Sequence, residues 1–171
     1  MDVPVLVEEK KGLELKMYSL VLYQLNGRQI GIQSGHSNVE YGVKYDFNEL
    51  FVDWARNWKT VIALNGGTST TLTEHTQWLK DMEIPHATFV ETDLYNQITS
   101  VSFIADARVF DYELYPDFKD YLFFDGKYFD EKQPLSLLIK QFPVEHETWI
   151  ETLGGLKNVL FRQWLRPFKL A

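Results

Sequence analysis

The junction between an apolar run, residues 17–25, and the segment 27–40 that follows it constrains this fold more than any other stretch of the chain. Met17-Tyr18-Ser19-Leu20-Val21-Leu22-Tyr23-Gln24-Leu25 reads as a mostly buried strand, rich in side chains that suit a pleated surface. Asn26-Gly27 signals a turn and a helix start, and a helix is predicted over about residues 28–43. On that helix Gln33, His36 and Glu40 fall at i, i+3 and i+7, which sets an amide, an imidazole and a carboxylate on one stripe. Gly31, Gly35 and Gly42 each weaken the helix by about 1 kcal/mol relative to alanine. Small residues at 31, 34, 35 and 37 let a neighbouring backbone or a ligand come close.

Beyond this junction the pattern predicts a second helix over about 47–57, a strand over 58–64, a helix over 71–82, and strands over 87–91 and 97–105. The order β-α-α-β-α-β-β implies an α/β fold with a mixed four-stranded sheet flanked by helices. Asn65-Gly66-Gly67-Thr68-Ser69-Thr70 is the one glycine-rich loop. It has neither phosphate-loop nor dinucleotide-loop spacing, and it reads as a turn followed by a helix cap. After Arg108 the chain is dense in Tyr, Phe and Asp over 110–130, broken by Pro116 and Asp125-Gly126. Apolar periodic stretches near 135–142 and 146–153 precede a terminal helix predicted near 156–164. The expected organisation is an N-terminal extension (1–15), an α/β domain (16–108), and an appended helical and irregular C-terminal region (109–171) packed on the core.

Composition narrows the function classes. A chain of 171 residues with 45% hydrophobic side chains supports one well-buried core. No apolar run approaches the roughly 20 residues needed to cross a bilayer, and the first ten residues lack a signal-peptide pattern. With no cysteine, thiolate metal sites and disulfides are excluded. A soluble cytoplasmic protein with no cofactor, no metal and no membrane partner is the expectation. Net charge is −7, with 8 Lys/Arg against 14 Asp/Glu in 1–107 and 5 against 10 in 108–154. Residues 155–171 reverse the sign, with Lys157, Arg162, Arg166 and Lys169 and no acid. Long nucleic acid, which binds through phosphate neutralisation, is disfavoured everywhere except at this basic terminal helix.

Four features resemble the type II peptidyl-tRNA hydrolase family, in a divergent branch found in bacteria and bacterial viruses. The segment Gln29-Ile30-Gly31-Ile32-Gln33-Ser34-Gly35-His36-Ser37 is similar to the family's first-helix motif. Trp58 stands where the family has a tryptophan opening its second strand. The helix carrying Leu72, Trp78 and Leu79 leads to Ile84-Pro85, like the family's turn. Phe89-Val90-Glu91-Thr92-Asp93-Leu94-Tyr95-Asn96-Gln97-Ile98-Thr99-Ser100-Val101 looks like that branch's strand-loop-strand motif. The likeness covers about residues 16–108 and implies hydrolysis of the ester joining peptide to tRNA. The family's motif lysine is replaced here by Gln29, with Arg28 beside it; Asp93 matches its aspartate, Gln97 stands at its threonine position, and Thr99 matches the branch's own threonine.

The resemblance therefore implies a cleft between the start of the first helix and the 93–99 loop, holding a nucleotide or tRNA-derived ligand. His36, Asp93 and Thr99 are the candidate catalytic residues; His36 or Asp93 would position or deprotonate water. Arg28, Gln29, Gln33, Glu40, Glu91 and Gln97 are the candidate ligand contacts, with Arg28 nearest a phosphate. Two other readings stand beside hydrolysis. One is a viral protein that sequesters or cleaves a small nucleotide signal of host defence; the other is a non-catalytic interaction module. The aromatic C-terminal region makes a homodimer the expected assembly.

Overall fold

The computed structural model describes residues 12–171; residues 1–11 of the expected N-terminal extension lie outside the described residues. Four strands, β1 (Leu15–Val21), β2 (Thr60–Asn65), β3 (His86–Glu91) and β4 (Gln97–Asp106), form one mixed sheet in the order β2-β1-β4-β3. β1 runs parallel to β2, while β4 is antiparallel to both β1 and β3. The chain is an α/β protein whose sheet is flanked by helices.

Alternation along β1 divides the core. Tyr18, Leu20 and the following Leu22 join Val101 and Phe103 of β4 on one face, against Leu72 and Leu79 of α3 (Ser69–Asp81). Leu15 and Met17 face the other way with Ala87 and Ile104, against Tyr41 of α1 (Gly27–Lys44). α2 (Glu49–Asp53) adds Leu50 and Phe51 to that second face. The expectation that Trp58 opens the second strand is corrected: a π-helical turn, Trp54–Trp58, prolongs α2, and Lys59 ends it at φ 58°. The indole of Trp54 then donates to the carbonyl of Thr60 at 2.9 Å, which ties the turn to the first residue of β2.

The glycine-rich loop is a packing device. A Cβ on Gly66 would sit 2.4 Å from Leu72 Cδ2 and 3.0 Å from Leu20 Cβ, so only glycine fits between β1 and α3. Thr68 caps α3, its hydroxyl accepting from the backbone of Thr71. Between 107 and 130 the chain is more helical than its composition suggested, with α4 (Ala107–Phe110) and α5 (Phe118–Phe124). α6 (Leu135–Gln141), α7 (Pro143–Thr152) and α8 (Leu156–Leu165) follow, α7 starting at Pro143 because proline is preorganised for the first helical position.

α8 joins two cores. Phe161 and Leu165 belong to the sheet's α3 face, while Val159 packs with Phe118, Leu122, Leu138, Trp149 and Leu153. Beyond α8, Leu170 bridges antiparallel to Leu64, so the last residues cover the outer edge of β2. Among the described residues, no helix is long and apolar enough to cross a membrane.

Candidate site on the first helix and the β3–β4 hairpin

The first helix buries an unusual face. Gln33, Ser34, Ser37 and Tyr41 are its buried residues, so polar and small side chains meet the sheet. The Ser37 hydroxyl lies 2.7 Å from that of Ser102 on β4, and Ser102 donates to Asn38 Oδ1 at 2.7 Å. Ser19 on β1 joins the same cluster, 3.0 Å from both Asn38 Oδ1 and Ser102 Oγ. Ser34 and Ser37 are thus the small residues that allow close approach. A Cβ on Gly31 or Gly35 would meet no atom within 4 Å, so those two glycines serve no close packing among the described residues.

A bulge in the hairpin completes the arrangement. Val90 pairs with Ile98 and Phe89 with Ser100, which leaves Thr99 without a partner in the register. Such an extra residue re-aims the side chains around it. Thr99, fully buried, donates to Gln33 Oε1 at 2.5 Å, while Ser100 Oγ donates to the Gln33 carbonyl at 2.6 Å. The Gln33 amide nitrogen in turn donates to Glu91 Oε2 at 3.0 Å. One glutamine therefore links the helix to both strands of the hairpin. Next to it the His36 ring stacks on Phe89, with centroids 4.3 Å apart and planes 11° from parallel. His36 is exposed and Phe89 half-buried, which leaves the outer side of the imidazole open to solvent.

The sequence-derived residues separate into two groups. Gln33, His36, Glu91 and Thr99 are brought together. Arg28, Glu40, Asp93 and Gln97 are exposed, and their side chains make no hydrogen bond or ion pair among the described residues. Thr99, expected to act at a ligand, is sealed from solvent with its hydroxyl committed to Gln33. Gln29 has a structural task where the family carries lysine. Its side-chain oxygen accepts from the backbone N–H of Asn26 at 3.1 Å, and Asn26 Oδ1 accepts from the Gln29 N–H at 3.1 Å. This reciprocal cap satisfies two donors at the helix start.

Among the described residues, five cavities of about 350 to 800 Å³ lie elsewhere, and none of the nine candidate catalytic and ligand-contact residues lines them. The cleft expected beside the 93–99 loop is not among these; His36, Glu91 and Phe89 meet on an open face. Phe89 was not predicted as a site residue, and the bulge that re-aims Thr99 leaves no mark in hydrophobic alternation. Among the described residues, no group of three or more His, Asp or Glu side chains is placed to hold a metal ion. The basic terminal helix is also less basic at its surface than its sequence suggests, because Arg162 is buried. No family model matches the chain, and no curated protein matches it in sequence.

Proposed function

We propose that the protein is peptidyl-tRNA-hydrolase-like and binds a nucleotide-bearing ligand on the open face of α1 and the β3–β4 hairpin, without turning it over. The observation that carries this reading is the exposed His36–Phe89 stack held beside the Gln33–Glu91 pair. A base laid on the outer side of the imidazole gains stacking energy of about 1–3 kcal/mol. The Glu91 carboxylate, oriented by Gln33, can accept from a base amine or a ribose hydroxyl. Arg28 lies eight residues before His36, about 12 Å along a helix axis, which suits the length of a nucleotide with its phosphates. The start of α1 carries no acid in its first turn, so its exposed N–H groups favour an anion.

Binding is preferred to hydrolysis for specific reasons. Gln29 supplies no cation for a developing oxyanion and is engaged in the helix cap. Thr99 is sealed, and among the described residues no carboxylate hydrogen-bonds the His36 ring to orient it as a base. A small ligand is preferred to a long nucleic acid because the protein carries a net charge of −7. In a bacterial virus, such a protein would sequester a small nucleotide signal of its host.

Incubation with peptidyl-tRNA and a panel of mono-, di- and cyclic nucleotides, followed by analysis of retained ligand and product, tests the proposal. The expected result is retention of one unchanged nucleotide, lost in His36→Ala. Turnover abolished by Asp93→Ala and His36→Ala would establish the hydrolase instead. No retention of any member would leave an interaction module. The homodimer rests on exposed Phe123, Phe124 and Tyr128, and sedimentation equilibrium checks it.

A further inference from the structure

The C-terminal layer holds a second concavity, and it is independent of the nucleotide reading. A cavity of about 350 Å³ is walled by Phe118, Leu135, Trp149 and Val159, with Arg162 and Arg166 also in its lining. That volume and apolar character are those of small-molecule sites, in which a few polar groups fix orientation. The charge at its polar end is unbalanced. Arg162 and Arg166 both reach Asp117, one carboxylate oxygen each, so two guanidiniums share one negative charge. Lys119 and Asp120, also in the lining, offset each other.

Arg162 is only 2% exposed, and its remaining contacts are neutral. It donates to the carbonyls of Arg108 at 3.1 Å and Tyr115 at 2.5 Å. The Tyr112 ring lies 3.8 Å from the Arg162 guanidinium carbon and 4.4 Å from that of Arg166, which attracts cations but neutralises none. Among the described residues, Arg162 Nε is buried without a hydrogen-bond partner. A buried cation with half a counter-charge and a free donor is costly to keep. An anionic group in the adjacent cavity supplies the missing counter-charge.

We propose that this cavity binds a small amphipathic anion, with a carboxylate or phosphate head against Arg162 and Arg166 and an aromatic or short aliphatic body among Phe118, Leu135, Trp149 and Val159. The two guanidinium forks suit planar or tetrahedral oxyanions, and the apolar wall rejects a fully hydrated one.

Trp149 gives the test a local reporter, since its indole N–H donates to the Pro116 carbonyl at 2.9 Å on the cavity wall. Phenyl phosphate and hexanoate are titrated into isotopically labelled protein while the Trp149 indole resonance is followed. Inorganic phosphate, phenol and hexanol serve as head-only and body-only controls. The expected result is a saturable shift with one or both amphiphiles, the tighter one naming the head. Affinity falls about tenfold or more for each control and in Arg166→Gln. Leu135→Trp, at a wall residue 45% exposed, lowers affinity similarly by narrowing the mouth. If Leu135→Trp does not fold, Arg166→Gln decides alone. Equal binding of the neutral probes, unchanged affinity in Arg166→Gln, or no saturable shift with either amphiphile would overturn the proposal.

Discussion

Gln33 shows how much one side chain can hold. Its amide accepts from buried Thr99 and donates to Glu91, while its backbone carbonyl accepts from Ser100. Gln33→Leu keeps the helix and nearly the same volume but strands the Thr99 hydroxyl and releases Glu91. The expected loss is about 1–3 kcal/mol in urea unfolding. A loss below about 0.5 kcal/mol would show that the hairpin does not depend on this link. Two histidines act through protons instead. Burial holds the imidazoles of His75 and His86 below their ordinary pKa of 6.5, and Lys44 and Lys80 add to the effect at His86. Just below that pH the unfolded chain binds more protons than the folded one. Stability is therefore complete above about pH 6.5 and declines as pH falls towards the folded pKa values. The melting temperature drops between about pH 7 and pH 5, and His75→Phe, which keeps the aromatic contacts with Trp164 and Phe168, makes the drop shallower. A slope identical to the native one would exclude His75 as a source.

At the scale of elements, the first helix was legible in kind and misleading in detail. Asn26-Gly27 marked its start, and Asn26 is its cap. Asn26→Ala removes the acceptor for the Gln29 N–H, and thermal melts should show a cost of about 1 kcal/mol. An unchanged melting curve would mean that the helix start is held by other contacts. The stripe read from spacing, Gln33-His36-Glu40, is not the stripe the helix buries. Gln33, Ser37 and Tyr41, four apart, face the sheet, because Ser19 and Ser102 offer polar partners there that no helical periodicity can reveal. Glu40 points to solvent for the same reason. The strands and their order along the chain follow from apolar runs and breakers. The π turn at Trp54–Trp58 and the bulge at Thr99 did not, since both are set by tertiary contacts.

For the whole molecule, α8 is the element that fastens the C-terminal helices to the sheet. Phe161 stacks at a tilt against Phe103 and Trp78 on the sheet's α3 side, whereas Leu138 lies wholly inside the C-terminal cluster. Phe161→Ala is expected to cost about 3–5 kcal/mol and Leu138→Ala about 2–5 kcal/mol. If both layers unfold together, each variant shifts a single transition. Two separated transitions in Leu138→Ala would show that the layers melt independently. The proposed ligand face lies on a different surface, the open face of α1 and the hairpin. Isothermal titration of the retained nucleotide into native protein and into His36→Ala tests the proposal. The expected result is saturable binding by the native protein, weakened about tenfold or more in the variant, with the nucleotide recovered intact. Equal affinity in the two proteins, or recovery of a cleaved product, would contradict it.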